Sequence, residues 1–351
     1  MNVRDQVLLV LEQQKGNYIS GAKLASELSV SRNAVWKAVK HLQEEGYAIE
    51  TAPNRGYVLR MDNDILSAPG IMKYLHPKYR KLSVEVYKSI DSTNTKVKEY
   101  AASGQPEGLV VIAQEQTAGR GRMGRSFYSP TSSGVYMSFL LRPKFTAGES
   151  TYLTTAAAVA AAETIDDVWK DYFESIKHKD NSGAGQSDPD DSQAVIKWVN
   201  DVYVRGKKVC GILTEASVNV ENSMLEYAVT GIGFNVQMPE NGFPEEIQDI
   251  AGAIFETDTA IDAKNRIAAG MINHFMKYYE DLPERTYMEE YRKRSFLLGR
   301  EIYTVTDPPI TGRAVDIDEE GHLIMELKDG SRKPLSSGEV SVRPATEDKK
   351  I

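Results

Sequence analysis

Residues 108–140, GLVVIAQEQTAGRGRMGRSFYSPTSSGVYMSFL, decide which kind of α/β fold this chain can form. An apolar strand leads into Gly119, Gly121 and Gly124, whose G-x-G-x-x-G spacing is that of a dinucleotide-binding turn. Such a turn must open directly into a helix, whose N-terminus holds the pyrophosphate. Here Pro130 and a run of Ser and Gly follow, and the chain then enters a second apolar strand. The context therefore rules out a Rossmann-type nucleotide site.

The same loop carries three arginines, Arg120, Arg122 and Arg125. Guanidinium groups this close repel one another unless an anion neutralises them, and each can bind a carboxylate or phosphate with two hydrogen bonds. The glycines allow the backbone to fold tightly over a ligand. We therefore expect an anion-binding loop. The alternatives are a loop that binds nucleic acid and a surface loop paired with acidic side chains of the same chain.

The composition predicts two or three domains in a reducing compartment. The chain has 351 residues, 41% of them hydrophobic, and a net charge of −8. It has no apolar run long enough to span a membrane, and its N-terminus lacks the pattern of a signal peptide. The single cysteine, Cys210, excludes an internal disulfide, and the five scattered histidines form no zinc motif. We expect a cytoplasmic protein that does not associate with membranes.

Residues 1–62 are predicted to form a winged helix-turn-helix domain. Residues 1–60 contain eight Lys and Arg against six acidic residues, so the rest of the chain carries a net charge of −10. Ser20 and Ser31 are suitable N-caps for two helices, Ala22–Leu28 and Arg32–Glu44, joined by the turn LSVS. Two strand-like segments around a Pro-Asn-Arg-Gly turn then predict a β-hairpin wing.

The outer side of the second of these helices carries polar and basic side chains suited to DNA. Arg and Asn can recognise base edges in the major groove, and Lys can hold phosphates. A protein-interaction module with a solvated outer face is the alternative. The residues expected to contact DNA are Ser31, Arg32, Asn33, Trp36, Lys37, Lys40 and, at the tip of the wing, Arg55.

Residues 63–296 alternate strands and helices, with several strand–strand hairpins, and predict a mixed α/β-sheet domain. One helix is expected from about Thr95, and residues 194–217 are expected to form two strands joined at Arg205-Gly206. Lys177–Gln193 is rich in Gly, Ser and Asp and predicts a flexible surface loop. Trp198 is expected in the core, and Cys210 as a buried small hydrophobic residue.

Residues 297–351 alternate short strands with three turns. The turns are expected at Asp307-Pro308, Glu320-Gly321 and Asp329-Gly330. This pattern predicts a small β-barrel of SH3-like type. The overall fold class is therefore α+β.

Five segments resemble, in the same order, the motifs of bifunctional biotin–protein ligases, which also repress the biotin operon: IDSTN, QTAGRGRMGRSF, KWVND, GKKVCGIL and GIGFNV. Val199 is a departure, because proline is common at that position in the family. The resemblance implies a catalytic domain of class II synthetase-like type that joins biotin and ATP, with Mg²⁺, into biotinyl-5′-adenylate. A lysine of a biotin carboxyl carrier protein then takes the biotin, and the adenylate-bound homodimer binds operator DNA.

The resemblance also implies roles for individual residues. Those implied to be catalytic are Arg120, Arg122, Lys197, Lys208 and Asp201, the last as the group that orients or deprotonates the incoming lysine. Those implied to bind biotin are Ser92, Thr93, Asn94, Gln116, Gly119, Arg120, Gly121, Arg122, Lys208, Gly211 and Gly231. Those implied to bind nucleotide are Arg122, Arg125, Phe127, Asn200 and Lys208. No fixed metal site is implied, but Mg²⁺ accompanies ATP near Asn200 and Asp201. The alternatives are a ligand-sensing repressor without ligase activity and a lipoate ligase.

Overall fold

The computed structural model describes residues 2–177, 193–219, 221–256, 262–336 and 342–344. Residues 178–192, nearly all of the predicted surface loop Lys177–Gln193, lie outside the described residues. The chain divides into two compact units. The first contains Met1–Lys81 and Thr259–Asn273, and the second contains Leu82–Asp258 and His274–Ile351. The predicted domain 1–62 lies within the first unit, and the boundaries at residues 62 and 296 stay predictions.

Three helices of the first unit form the predicted helix-turn-helix: α1 (Val3–Gln13), α2 (Gly21–Glu27) and α3 (Arg32–Glu44). Ser20 Oγ accepts a hydrogen bond from Lys23 N, and Ser31 Oγ accepts one from Ala34 N, each at 3.1 Å. Both predicted N-caps are therefore confirmed, although α2 begins and ends one residue earlier than expected. Apolar side chains spaced along α1 and α3 form the buried core between them.

The predicted wing is also confirmed. Strands β1 (Ile49–Ala52) and β2 (Gly56–Leu59) pair antiparallel around the turn. Gly56 has a φ of +100°, and a Cβ there would lie 2.1 Å from the carbonyl oxygen of Ile19, so this position requires glycine. A short helix, α4 (Ala68–Met72), follows in the same unit.

A buried ion pair joins distant segments of the first unit. Lys15 Nζ, just after α1, lies 2.7 Å from Asp262 Oδ1 and 3.9 Å from Glu12 Oε2. Tyr74 also donates a hydrogen bond to Asp262, at 2.8 Å. Neither carboxylate oxygen of Glu12 accepts a hydrogen bond, although the residue is fully buried.

A seven-stranded sheet dominates the second unit, with the order β3-β4-β5-β9-β8-β7-β6. Its only parallel pair among the described strands is β3 with β4, so the predicted mixed sheet is confirmed. The strands are β3 (Ser83–Tyr87), β4 (Leu109–Ala113), β5 (Gly134–Leu141), β6 (Val195–Lys197), β7 (Asp201–Val204), β8 (Lys207–Val218) and β9 (Leu225–Asn235).

Helix α5 (Thr93–Ala102) connects β3 to β4, and the long helix α6 (Thr151–Lys177) packs against β8. The prediction that α5 begins near Thr95 was two residues late. Ser92 is its N-cap, and Ser92 Oγ accepts from Thr95 N at 3.5 Å. The helix therefore starts within the STN segment itself.

The prediction of two strands in residues 194–217 was wrong, because the first of them is divided into β6 and β7. Asn200 bonds to Ile212 of β8 through both backbone and side chain: Ile212 N donates to Asn200 O at 2.9 Å, and Asn200 Nδ2 donates to Ile212 O at 2.8 Å. The chain therefore turns at residues 198–200 instead of continuing as a strand. The Trp198–Val199 peptide bond is cis.

The remaining elements include helices α7 (Ala263–Glu280) and α8 (Met288–Arg294). The C-terminal residues form a five-stranded antiparallel sheet with the order β13-β12-β11-β10-β14. The three predicted turns fall between its successive strands, while SH3-like closure stays a prediction. The strands are β10 (Glu301–Thr304), β11 (Thr311–Ile317), β12 (Leu323–Glu326), β13 (Arg332–Leu335) and β14 (Val342–Pro344).

The indole of Trp198 attaches this C-terminal sheet to the larger one. Its Nε1 donates to the carbonyl of Gly321 at 2.9 Å, in the turn between β11 and β12. Trp198 is buried, as predicted, and so is Cys210, whose thiol pKa is raised by desolvation. None of the helices in the described ranges is both long enough and apolar enough to cross a membrane.

Candidate active site

An open pocket of about 480 Å³, a volume that includes its solvent-filled mouth, lies in the second unit. The start of α5, the arginine loop, the turn before β7, the first half of β8 and the second half of β9 surround it. The sequence motifs are far apart along the chain, and the fold brings them together here. The predicted residues that line it are Ser92, Thr93, Asn94, Gln116, Arg120, Gly121, Arg122, Phe127, Asn200, Lys208, Gly211 and Gly231.

One end of the pocket presents uncharged hydrogen-bonding groups. Gln116 Oε1 accepts from the backbone N–H of Thr93 at 2.9 Å, and Gln116 Nε2 donates to Ser129 Oγ at 3.1 Å. These two bonds fix the orientation of the Gln116 amide. Ser92 is the N-cap of α5 and also lines the pocket. One residue therefore occupies both the helix-capping position and a position that faces a ligand. This end suits a neutral ligand group that carries both donors and acceptors.

Cationic side chains line the other end. Lys208 Nζ lies 2.6 Å from Asp201 Oδ1 in an ion pair, and Arg122 Nη1 donates to Asn200 Oδ1 at 3.2 Å. Desolvation lowers the pKa of the half-buried Arg122 guanidinium, and the neighbouring Asp201 carboxylate opposes that shift. An arginine nonetheless stays protonated at neutral pH. A bound anion would offset the cost of burying this charge.

Glycines in β8 and β9 make room for the Phe127 ring. A Cβ at Gly233 would lie 2.5 Å from Phe127 Cε1, and a Cβ at Gly211 would lie 3.0 Å from Phe127 Cε2. The ring also meets Tyr136 edge-on, with centroids 6.3 Å apart. A Cβ at Gly231 would lie 2.1 Å from Asn94 Oδ1. The space predicted to be kept open for a ligand at Gly211 and Gly231 is therefore taken up, in part, by the protein's own side chains.

Four predicted residues do not line the pocket. Asp201 does not line the pocket but forms an ion pair with Lys208, which does. Gly119 packs against the backbone of the same loop, where a Cβ would lie 2.4 Å from the carbonyl oxygen of Phe127. The Arg125 side chain is exposed. The backbone of Lys197 lies opposite that of Asp201 in the β6–β7 hairpin. The Lys197 Nζ lies 5.7 Å from the centroid of the Tyr203 ring. Direct ligand contacts by these four residues stay predictions.

Sequence reasoning missed several residues of the site. Gly233 was inside the quoted GIGFNV motif, whose G-x-G spacing was the available signal. Ser138 and Glu215 bond to Asn94 at the base of the pocket. Ser138 is a polar residue within the apolar strand GVYMSFLL, whereas Glu215 lies in the mixed strand KKVCGILTEASV, where nothing in the sequence distinguishes it. Ile212, Leu213 and Ile232 also line the pocket, but nothing distinguishes them from core residues in the sequence.

Three family models match successive parts of the chain. Residues 3–58 match a model described as HTH domain, residues 86–235 match the biotin/lipoate A/B protein ligase family, and residues 297–343 match the biotin protein ligase C terminal domain. The bifunctional ligase/repressor BirA of Bacillus subtilis is 34% identical over 342 residues, which cover 94% of this chain and 96% of that protein. The chain belongs to this ligase/repressor family.

A second relative and a solved structure agree with that assignment. The bifunctional ligase/repressor BirA of Escherichia coli is 28% identical over 335 residues, 94% of each chain. The structure of biotin protein ligase from Aquifex aeolicus in complex with biotin and ATP matches with a TM-score of 0.56 at 27% identity, over 75% of this chain and 99% of that one. The order of the matched regions is the order of domains expected from the sequence.

Proposed function

We propose that the protein is an ATP-dependent biotin–protein ligase that also represses transcription of biotin genes. The observation that carries the proposal is that two kinds of group line one pocket: neutral hydrogen-bonding side chains such as Asn94, beside Gly231, and cationic side chains such as Lys208, beside Gly211. Biotin has the same division, because its ureido ring is neutral and its side chain ends in a carboxylate. The neutral groups around Thr93 and Gln116 receive the ureido ring, and Arg122 and Lys208 receive the carboxylate.

In the first step, an oxygen of the biotin carboxylate attacks the α-phosphorus of ATP, and pyrophosphate leaves. The carboxylate is already ionised at neutral pH, so no base is required. Negative charge increases at phosphorus in the transition state, and Lys208, Arg122 and Arg120 stabilise it. Holding both anions in one pocket removes the entropic cost of bringing them together. The nucleotide enters as MgATP, and the oxygen atoms of Asn200 and Asp201 are of the kind that Mg²⁺ prefers.

In the second step, the amine of a carrier-protein lysine attacks the acyl carbon of biotinyl-5′-adenylate, and AMP leaves. The incoming ammonium must lose a proton before it can attack. The carboxylate of Asp201 accepts that proton or orients the amine, since it lies at the cationic end beside Lys208. Phe127 stacks on the adenine, and Arg125 and Lys197 assist the phosphates from outside the pocket lining.

Repression is assigned to the winged helix-turn-helix of the first unit. The exposed side of α3 enters the major groove, and Arg55 on the wing contacts a phosphate or the minor groove. The guanidinium of Arg55 lies 3.9 Å from the centroid of the Tyr18 ring, which holds it at the tip. A cytoplasmic homodimer carrying the adenylate places two such helices on a two-fold operator.

The decisive experiment is transfer of biotin to a purified biotin carboxyl carrier domain in the presence of MgATP. The wild-type chain should label the carrier, and Lys208→Ala and Arg122→Ala should not. If the wild-type chain binds biotin without labelling the carrier, the protein is instead a ligand-sensing repressor without ligase activity. If it binds no biotin, the cationic end receives a different anion.

A further inference from the structure

The β7–β8 hairpin contains a β-bulge beside the pocket. Val202 of β7 lies opposite Cys210 of β8. The next residue of β7, Tyr203, lies opposite Lys208, so Val209 is an extra residue without a partner on β7. Neighbouring residues of a strand point to opposite faces of the sheet, and a bulge therefore changes the face to which the residues beyond it point. The direction of the Lys208 side chain depends on this bulge.

The bulge places the Lys208 side chain on the pocket face of the sheet. Lys208 and Gly211 are three residues apart, so in a regular strand they would point to opposite faces. Instead, a Cβ at Gly211 would lie 3.1 Å from Lys208 Cε and 3.2 Å from Lys208 Nζ, and both residues line the pocket. Without the bulge, Lys208 would lie opposite Val204, on the face where Val202 and Val204 are buried and where an ammonium group is costly.

A separate segment, residues 250–252, pairs with the backbone of Lys208. Lys208 N donates to Ile250 O at 2.8 Å, and Gly252 N donates to Lys208 O at 2.9 Å. Both backbone hydrogen-bonding groups of Lys208 are therefore bonded to this segment. The segment is attached in turn to the end of β9, because Asn235 Nδ2 donates to Gly252 O at 3.0 Å. The bulge is thus held by residues from outside the β7–β8 hairpin.

The close approach of this segment to β8 requires glycine at position 252. A Cβ at Gly252 would lie 2.5 Å from Lys207 Cβ, 3.3 Å from Lys207 Cγ and 3.8 Å from Lys207 Cα. The first distance is far below the separation of about 3.5–4.0 Å at which two carbon atoms attract each other. Lys207 Cβ is attached to the backbone next to Lys208 and cannot move independently of it. A side chain at position 252 would therefore separate the segment from β8 or displace Lys208.

We infer that Gly252 is a positioning residue for Lys208, because its contact with Lys207 allows residues 250–252 to pair with β8 and hold the bulge. The Lys208 ammonium then lies in the pocket, 2.6 Å from Asp201 Oδ1. Gly252 acts through the backbone of Lys208 and does not line the pocket itself. This inference rests on the proposed function, in which Lys208 stabilises the charge that develops at the α-phosphorus.

The variant Gly252→Ala should displace the Lys208 ammonium. We expect the rate of biotinyl-5′-adenylate formation to fall roughly 10–100-fold, because a misplacement of about 1 Å can cost that much. Pyrophosphate release by the full chain with biotin and MgATP is the measurement.

Two double variants identify the contact that is responsible. Gly252→Ala/Lys207→Gly removes Lys207 Cβ and should restore most of the rate. Gly252→Ala/Lys207→Ala keeps that Cβ and removes only the rest of the side chain, so it should remain as slow as Gly252→Ala. Lys207→Gly alone should stay within about threefold of the wild-type rate.

Binding of biotin amide distinguishes positioning of Lys208 from general damage to the pocket. In this probe an uncharged carboxamide replaces the carboxylate, so binding needs the neutral hydrogen-bonding groups of the pocket but not the Lys208 ammonium. Calorimetry should therefore give Kd values for wild type and Gly252→Ala that agree within about threefold. A merely structural role for Gly252 would weaken binding of the amide as much as it lowers the rate.

The outcomes separate this inference from the proposed function. If Gly252→Ala forms the adenylate at the wild-type rate, the inference is overturned and the ligase proposal stands. Equal rates in the two double variants, or an equal loss of amide binding, would also overturn it. Should Gly252→Ala not fold, hydrogen exchange of the Lys208 amide in the wild type replaces it: a protected amide supports the inference, and exchange as fast as in an exposed loop contradicts it. Failure of the wild type to form the adenylate removes both.

Discussion

The ammonium of Lys208 lies 2.6 Å from Oδ1 of Asp201, so the cation best placed in the pocket is already paired with an anion. The contact is an ion pair without hydrogen-bond alignment, and both side chains are partly exposed. A carboxylate or phosphate entering the pocket competes with Asp201 for Lys208. The ion pair therefore holds the Lys208 ammonium in position, and a ligand carboxylate or phosphate can replace the Asp201 carboxylate beside it.

Removing this lysine should affect the first chemical step. We expect Lys208→Ala to lower the rate of biotinyl-5′-adenylate formation by roughly 10²–10³-fold, the usual cost of losing one group that stabilises a developing charge. Pyrophosphate release with biotin and MgATP is the measurement. Lys207→Ala is the control, because the Lys207 ammonium is bound to the carbonyls of Gln248 and Asp249. Equal loss in the two variants would contradict a specific role for Lys208.

The Phe127 ring depends on the glycines beneath it. A methyl group added by Gly233→Ala would lie 2.5 Å from Phe127 Cε1, so the ring must move. We expect the KM for ATP to rise about tenfold or more, since the ring is proposed to stack on adenine. Gly148→Ala is the control, because its new methyl group would be 4.0 Å from its nearest neighbour, Thr146 Oγ1. An unchanged KM for ATP in Gly233→Ala would argue against stacking.

The basic side of α3 should determine how DNA binding depends on salt. Lys37→Ala is expected to weaken binding to any duplex and to reduce the slope of log K against log salt by about 1, because one phosphate contact is lost. Fluorescence anisotropy with a labelled non-specific duplex at several salt concentrations measures the slope. Lys170→Ala removes an exposed charge from the second unit and should leave the slope unchanged. A shift of the slope in that variant instead would place the DNA contact elsewhere.

The stability of the first unit should depend on Glu12. Desolvation raises the pKa of this buried carboxyl to about 7, above its ordinary value of 4.5. The folded state therefore binds the proton more tightly than the unfolded state, and stability falls as pH rises from about 4.5 through 7. Glu12→Gln should be more stable than wild type at pH 8 by about 1–3 kcal/mol, and this advantage should disappear below about pH 4.5.

Calorimetric unfolding at pH 4 and pH 8 checks this prediction. Glu27→Gln, at an exposed position of the same unit, is the control and should unfold like wild type at both pH values. A Glu12→Gln variant that is less stable than wild type at pH 8 would show that the ion pair with Lys15 outweighs desolvation.

Ligand binding should control self-association. We expect sedimentation velocity to show a monomer for the apo protein and a shift toward a dimer with biotin and MgATP, because the adenylate is proposed to favour the dimeric state. Biotin with a non-hydrolysable ATP analogue should give a smaller shift than biotin with MgATP. The same sedimentation coefficient with and without the ligands would exclude the adenylate as corepressor.

Local signals in the sequence predicted most of the fold. Ser20 and Ser31 marked two helix starts, and Pro130 correctly separated the arginine loop from a Rossmann turn. The division between β6 and β7 was missed, because it depends on bonds from Asn200 to Ile212, which a local pattern does not reveal. In the site, Arg122 was predicted from the charge of its loop and Lys208 from the family resemblance, whereas Ser138 and Glu215 belong to the site through their contacts with Asn94. Contacts of that kind exist only once the sheet has formed.

The pairing of Lys15 with Asp262 has a consequence for synthesis of the protein. The two residues are 247 positions apart, and Asp262 belongs to a segment made after most of the second unit. The core of the three helices and the wing contains only residues between Val3 and Ile65, which are synthesised much earlier. The contact between Lys15 and Asp262, however, can form only after translation has passed residue 262, and until then Glu12 is the carboxylate beside the lysine. A fragment that ends after the wing would keep the recognition helix but would lack Asp262, which leaves Glu12 as the carboxylate nearest to this lysine.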